Sequence, residues 1–486
     1  MLEATHLLIL GALLALGPPL GMMRHGMKYI PMVAKGCTDP IITLNFGFLK
    51  IYVVTSPDMM NAVQRQSKVF SFGPFLDFAA ERLAGLTGKT LHAFRTVEAG
   101  GQGLVKTVMH ASTPFLAGKS LDKLNRDMFS AIQPMIDELA TKESVDLIEW
   151  VHYAMTLAGT RAAYGPMNPF EAQEVRDAFW EVDRNVSPLL MNFLPWLTAR
   201  KAYTNRKIVL SAFIEYLNKK GQNQACDFIL KRYQVLSEAG LSDPELAQNE
   251  ASVPLALLSN TIPATFWVIY TIFSHPDLLQ ELREEVEQNA FKMVEGECVV
   301  DLKAIREDCP LLISTFHEIM RKGSNPASTR FVMSDFTLAD KYHLKAGNVV
   351  ILPSQVIGRH EKAWGPSADE FNPRRYLTPE PSDHPDDPKT VRRTGRFMAF
   401  GVSAPICPGR HFAASEILGL ACMLMMRFDF TPEGGEWTPP EPHTGSVLAA
   451  TGPVKGPFNI KVKERDGFEG KPWRVEIGEG KGLFPC

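Results

Sequence analysis

The chain has 486 residues, a formal net charge of −3 and seven cysteines. With no basic stripe interleaved with aromatics it is excluded from the nucleic-acid-binding classes, and an odd number of cysteines without paired spacing excludes a disulfide scaffold and points to a reducing compartment. No internal repeat, long low-complexity linker or abrupt shift in composition divides it, so one large domain is expected in spite of the length.

Leu7 to Met23 is apolar throughout, somewhat short for a spanning helix and broken by Pro18-Pro19. A cleaved signal peptide is the alternative; the stretch lacks a basic leading region, and prolines at its exit disfavour cleavage. Glu3 precedes it and Arg24, His25 and Lys28 follow it, a charge bias that leaves the rest of the chain in the cytosol. The expectation is a membrane anchor over residues 1–27 and a single domain over 28–486, in the endoplasmic reticulum membrane if the host is a eukaryote.

Short strands are predicted at Ile51–Val54, Phe336–Leu338, Val349–Leu352 and Phe458–Val462, among patterns that are otherwise helical. The fold class is therefore mainly α with a minor β-sheet region. Gly85-Leu86-Thr87-Gly88-Lys89-Thr90 looks like the end of a phosphate-binding loop, but Leu83 stands at its first glycine position, and Gly100-Gly101-Gln102-Gly103 has no strand-turn-helix setting. Neither is a nucleotide site. Asp243 to His275 is an apolar stretch opened by Asp243-Pro244-Glu245, a cap followed by proline, and Pro254 and Pro263 should distort it. Leu311 to Lys322 reads as a helix with Leu312, Phe316, Ile319 and Met320 on one face and Glu318 and Arg321 on the other. The plainer alternative for that pair is an exposed i,i+3 ion pair.

Cys407 lies between a Gly/Pro-rich loop, from Phe400 to Arg410, and a helical run containing Phe412, Ala413, Ile417, Leu418, Leu420, Ala421 and Leu424. A lone cysteine there can present its sulfur to a metal, and backbone N–H groups at a helix N-terminus are expected to lower its pKa. An inert core cysteine is the alternative.

That loop resembles the haem-binding signature of the cytochrome P-450 superfamily, in which Phe and Gly precede the ligand cysteine by seven and six residues and Gly follows it by two. Phe400, Gly401, Cys407 and Gly409 fit, whereas Ser403 stands for a second glycine and Pro405 for a basic residue. The resemblance implies haem b with Cys407 as axial iron ligand, in a single large haem domain of the cytochrome P-450 fold. It implies a buried ion network of Glu318, Arg321 and Arg375 that fixes the cysteine loop, the last from Phe371-Asn372-Pro373-Arg374-Arg375-Tyr376, and Arg330 as partner of a haem propionate. No Trp precedes Trp150 to supply the usual second propionate contact; His92, Arg95, Lys106 and His110 are available.

By the same resemblance, Asp243–His275 is the helix that crosses the distal haem face, where most members carry an acid and then Thr to relay protons. Here Asn260-Thr261 keeps the alcohol and replaces the acid with an amide. Asn260-Thr261-Ile262-Pro263-Ala264-Thr265-Phe266-Trp267 is similar to the branch of cholesterol 7-alpha-hydroxylase, sterol 12-alpha-hydroxylase and prostacyclin synthase, and the expectation is that this chain is a fungal biosynthetic member near it. Asn260 and Thr261 are thus the catalytic candidates.

The implied activity is monooxygenation of a large apolar substrate, such as a sterol, terpenoid or polycyclic secondary metabolite. Electrons would come from an NADPH-dependent flavoprotein reductase docking near Lys389, Arg392, Arg393 and Arg396, since the chain has no flavin or dinucleotide segment. Phe70–Phe78 and Leu189–Leu197 fall where the family places a loop over the haem and the membrane-facing channel mouth. Two alternatives stand beside this: a reductase-independent isomerase or dehydratase of a peroxide, favoured by the missing acid, and a catalytically silent haem protein that binds an apolar ligand, suggested by Ser403 and Pro405.

Overall fold

A computed structural model describes residues 17–22, 24–25, 28–35, 37–47, 49–95, 103–192, 194–323, 327–377, 397–401, 406–441, 451–479 and 482–484. Most of Leu7–Met23, Ser403, Pro405 and the basic cluster from Lys389 to Arg396 lie outside the described residues. Helices dominate and the described strands form four small sheets, as the sequence pattern leads one to expect.

The largest sheet contains β1 (Ile41–Asn45), β2 (Lys50–Val54), β3 (Phe70–Ser71), β4 (Ala327–Val332) and β5 (Val349–Pro353), in the spatial order β1-β2-β5-β4-β3. β5 is its centre, parallel to β2 with Val349 opposite Ile51, and antiparallel to β4 with Val350 opposite Arg330. Every residue of β5 is buried, which is why Val349-Val350-Ile351-Leu352 reads as an unbroken apolar run rather than an alternation. The strand expected at Phe336–Leu338 is present, and the one expected at Phe458–Val462 runs instead from Asn459 to Glu464.

The core is helical, built on α1 (Gly118–Leu139), α2 (Leu147–Tyr164), α3 (Asp243–Glu250), α4 (Val253–Leu258), α5 (Thr261–Phe273), α6 (Pro310–Gly323) and α7 (Arg410–Arg427). α7 is buried on nearly all sides and mostly apolar, with Leu418, Leu420 and Leu424 fully buried, as suits a central helix. Gly419 lies where α7 crosses α1, and a Cβ there would collide with the Phe129 ring. Gly419→Ala is expected to destabilise the fold by about 1–3 kcal/mol through overpacking, more than the roughly 1 kcal/mol that alanine gains in helix propensity. Urea unfolding checks the sign: a net gain would mean that the ring moves aside freely.

The stretch read as one helix from Asp243 to His275 is three consecutive helices, with breaks at residues 251–252 and 259–260. Pro254 and Pro263 cause them. Each lacks an N–H for the carbonyl four residues earlier, that of Glu250 or of Ser259, and its ring presses against that carbonyl. The cap also moves by one residue: Glu245 Oε2 accepts from the Ser242 backbone N–H at 2.9 Å and from Ser242 Oγ at 2.6 Å, so Ser242 rather than Asp243 opens the stretch. Its apolar window is long enough to cross a membrane, but 72% of it is buried inside the protein. It is a core element.

Candidate active site

The middle of this broken helix and the cysteine loop both line a cavity of about 260 Å³. Ala256, Leu257, Asn260 and Thr261 come from the helix, and Phe400, Cys407 and Gly409 from the loop. The loop is held from its own backbone. Gly401 adopts φ +88°, a conformation that favours glycine, and its N–H donates to Met398 O at 2.9 Å. Cys407 N–H donates to Phe400 O at 2.9 Å, and Arg410 Nη1 to Cys407 O at 3.0 Å.

The sulfur is exposed, yet protein surrounds it densely, because the space it faces is the cavity. Burial pushes the Cys407 thiol up; N–H groups of Gly409 and Arg410 and the Arg410 charge oppose that without overcoming it. The expected lowering is therefore corrected: at this helix start desolvation wins, and a metal cation is what would hold the sulfur as thiolate.

The site suits haem. One soft sulfur, with no group of three or more His, Cys, Asp or Glu placed to hold a metal among the described residues, leaves a bare ion under-coordinated. Iron that brings its own ring of donors needs only that sulfur and apolar walls.

Glu318 is buried in α6, and its carboxylate accepts from Arg321 Nε and Nη2 at 2.7 and 2.8 Å, from Arg375 Nε at 3.1 Å and from Asn372 N–H at 3.0 Å. Arg321 Nη1 also donates to the carbonyls of Gly358 and Ala368. The structure thus brings the three predicted residues together as a buried cluster, not an exposed pair. From α6 a line of rings runs toward the loop: His317 to Phe397 at 5.1 Å and Phe397 to Phe400 at 6.3 Å between centroids. Arg330 is buried on β4 and burial lowers its pKa; Nη1 donates to Ser328 Oγ and Thr329 O, both at 2.9 Å. It does not line the cavity that Cys407 faces. His92, Lys106 and His110 are exposed and Arg95 is half-buried.

Thr261 Oγ1 donates to Leu257 O at 3.1 Å and also meets the carboxyl of Glu416, a cavity residue that sequence reasoning overlooked. The signal was an acid in a run of α7 that is otherwise mostly apolar, between Ser415 and Ile417. Burial raises the Glu416 pKa well above the carboxylate range, opposed by the bond with Thr261. The folded protein then keeps a proton that the unfolded chain releases above about pH 4.3, so the stability this group contributes is present below that pH and is lost as pH rises. Glu416→Gln is expected to have no effect on thermal unfolding near pH 4 and to raise the midpoint increasingly toward pH 8. An advantage that did not change with pH would show that the carboxyl is ionised in the folded state.

Comparison with known proteins agrees with this geometry. The family model Cytochrome P450 matches residues 4–456. A cytochrome P450 monooxygenase, nodJ, of Hypoxylon pulicicidum is 35% identical over 97% of this chain and 92% of its own length. A cytochrome P450 monooxygenase of Gibberella zeae is 24% identical over 94% and 88%, and the 5-beta-cholestane-3-alpha,7-alpha-diol 12-alpha-hydroxylase of Sus scrofa 25% over 74% and 75%. The chain belongs to the cytochrome P-450 family of monooxygenases. Its relatives include both fungal members and sterol hydroxylases, the neighbourhood that the Asn260–Trp267 segment indicates.

Proposed function

We propose that the protein is a haem-thiolate monooxygenase that oxidises a large apolar substrate, a sterol, terpenoid or polycyclic secondary metabolite, by hydroxylation, desaturation or ring closure. Electrons reach it from NADPH through a flavoprotein reductase. The observation that carries this reading is that Cys407, Asn260 and Thr261 line one largely apolar cavity. Haem, when bound, would supply oxygen activation, and Cys407 would hold its iron through the sulfur. Phe400, Gly401 and Gly409 would shape the ligand loop and Glu318, Arg321 and Arg375 would hold the scaffold, while Arg330, outside the lining of the cavity, would meet a propionate only if the bound haem extends to β4. Leu257 and Ala264 keep bulk water from the substrate, and the Asn260 amide holds a water or a substrate oxygen beside the Thr261 hydroxyl. The name of the sterol 12-alpha-hydroxylase relative favours a fused-ring substrate.

An anchor over residues 1–27 would tether the domain to the endoplasmic reticulum, facing the cytosol. Leu194, Trp196 and Leu197 are exposed at 44%, 58% and 61%, and they suit a surface that touches the membrane from which an apolar substrate arrives.

The test reconstitutes the protein in membranes with a flavin reductase, NADPH and apolar extracts, under isotopically labelled dioxygen, and follows products by mass spectrometry. Label entering a product only with NADPH is the expected result. A product formed without label and without NADPH would move the assignment to a peroxide isomerase, and binding of apolar compounds with no turnover would leave a silent haem protein.

A further inference from the structure

A smaller cavity, of about 170 Å³, lies against another face of the distal helix. Gln248, Ala251, Ser252 and Leu255 line it, a set spaced by three and four residues, whereas Val253, Ala256 and Leu257 line the cavity of Cys407. The body of the helix stands between the two, so a ligand of the smaller cavity is not the compound oxidised. Its charged lining is cationic only: Arg206 and Lys207, from the helix Arg200–Asn218, with no Asp or Glu. Both lie against the Tyr203 ring, Arg206 Cζ at 5.5 Å and Lys207 Nζ at 5.1 Å from its centroid. Arg206 Nη1 donates to Arg82 O at 2.9 Å and to Leu83 O at 3.4 Å, which fixes the guanidinium, while Nε and Nη2 have no partner among the described residues. The acids next in sequence to the lining residues are engaged elsewhere. Glu181 pairs with Arg184 at 3.2 Å and Lys201 at 3.6 Å, Glu250 with Arg232 at 3.4 Å, and Asp183 accepts from Ser259 Oγ at 2.5 Å. Burial lowers the Arg206 pKa with only Tyr203 opposing, yet a guanidinium stays charged. Two positive charges thus share a cavity to which the protein brings no anion.

We propose that this cavity holds the phosphate group of an anionic phospholipid, with Arg206 giving its two unused N–H positions to phosphate oxygens and Lys207 closing the exposed side. A guanidinium fork matches two oxygens of one phosphate. Leu83, Val209 and Leu210 make much of the remaining wall apolar, which suits the ester end of a lipid better than a fully hydrated ion. The surroundings favour the same source. From Val186 to Ile214 the chain has no acid but carries Arg200, Lys201, Arg206 and Lys207, and the exposed Leu194, Trp196 and Leu197 stand just before the helix that bears them. Apolar side chains that enter a membrane followed by cations at its negatively charged surface are the pattern that anionic headgroups attract. The proposal rests on the reading that Leu194, Trp196 and Leu197 touch the membrane.

The test titrates dioctanoyl phosphatidic acid, dioctanoyl phosphatidylcholine and inorganic phosphate calorimetrically into the detergent-solubilised full-length haem protein. Phosphatidic acid should bind about tenfold or more tightly than either of the others, and Arg206→Gln, which keeps a donor for the Arg82 carbonyl, should weaken it by about tenfold or more. Lys207→Glu, at an exposed position, puts a carboxylate beside the guanidinium and should abolish binding, with a thermal midpoint at or above that of wild type. Haem content should not change in either variant. Equal affinity for phosphatidic acid and phosphatidylcholine, or phosphatidic acid binding that survives Lys207→Glu, would overturn the site. Inorganic phosphate bound as tightly as phosphatidic acid would make it a free-ion site and overturn the lipid. In a separate arm, vesicles of brominated phosphatidylcholine should quench wild-type emission that Trp196→Phe lacks. Absence of that quenching would overturn the membrane-facing reading and the lipid with it, an outcome recognisable because the cavity is left untouched.

Discussion

Cys407→Ser is expected to give a folded protein that has lost the thiolate spectrum of its reduced carbonyl complex and all turnover. The exchange removes one soft, polarisable donor and puts a hard alcohol in its place, whose proton no ordinary site releases near neutral pH. Packing barely changes, since the side chain faces the cavity rather than the core, and thermal unfolding of the haem-free protein should stay within about 0.5 kcal/mol of wild type. Chemistry and folding are thereby separated in one variant. The loop that carries the residue is fixed by backbone bonds, from Cys407 N–H to Phe400 O and from Gly401 N–H to Met398 O, neither of which a serine disturbs. Haem quantitation and the spectrum of the reduced carbonyl complex are the measurements. Full haem content together with undiminished turnover would mean that the sulfur is not the ligand and that Cys407 is an inert cysteine.

What the sequence reveals follows the range of the interaction involved. The Cys407 loop and α7 are legible because the glycine, the ligand and the apolar run are contiguous, as are the strands at Lys50–Val54 and Val349–Pro353. The burial of Glu318 is not legible in the same way. Whether an i,i+3 pair is solvated depends on what covers α6, and the cover, Gly358 to Arg375, arrives some forty residues later in the chain. Glu416 is contiguous with the ligand loop but hidden by composition, since one acid in a buried helix shows its purpose only through its partner Thr261 on another helix. Asp183 is the extreme case: its partner Ser259 is 76 residues away, and only the fold, with the break at Pro263, places both beside one cavity. Local patterns marked Pro254 and Pro263 as distortions; where the freed carbonyls lead is a tertiary question.

Glu318→Ala should be the most destabilising of these exchanges. Among the described residues its carboxylate is the one anion seen to receive both Arg321 and Arg375, and neither it nor the Arg321 side chain is open to solvent. Removal leaves a guanidinium buried among carbonyls, a loss of about 3–5 kcal/mol from a total stability of about 5–15 kcal/mol. The cost to the scaffold should reach the ligand loop, since Asn372 N–H loses its acceptor and the segment from Gly358 to Arg375 its anchor. Haem retention should fall with stability, while activity per bound haem in the surviving fraction stays near wild type, as expected of residues that hold a scaffold rather than touch substrate. Arg375→Ala should cost less, because that side chain is partly open to solvent at 11%. A joint Glu318→Met and Arg321→Met exchange removes both buried charges at once and should destabilise by less than the sum of the single exchanges. Denaturant unfolding of the four proteins completes the cycle. Additive losses would show that the two side chains do not act as a pair, and loss of turnover per haem at unchanged stability would give Glu318 a chemical role in place of a structural one.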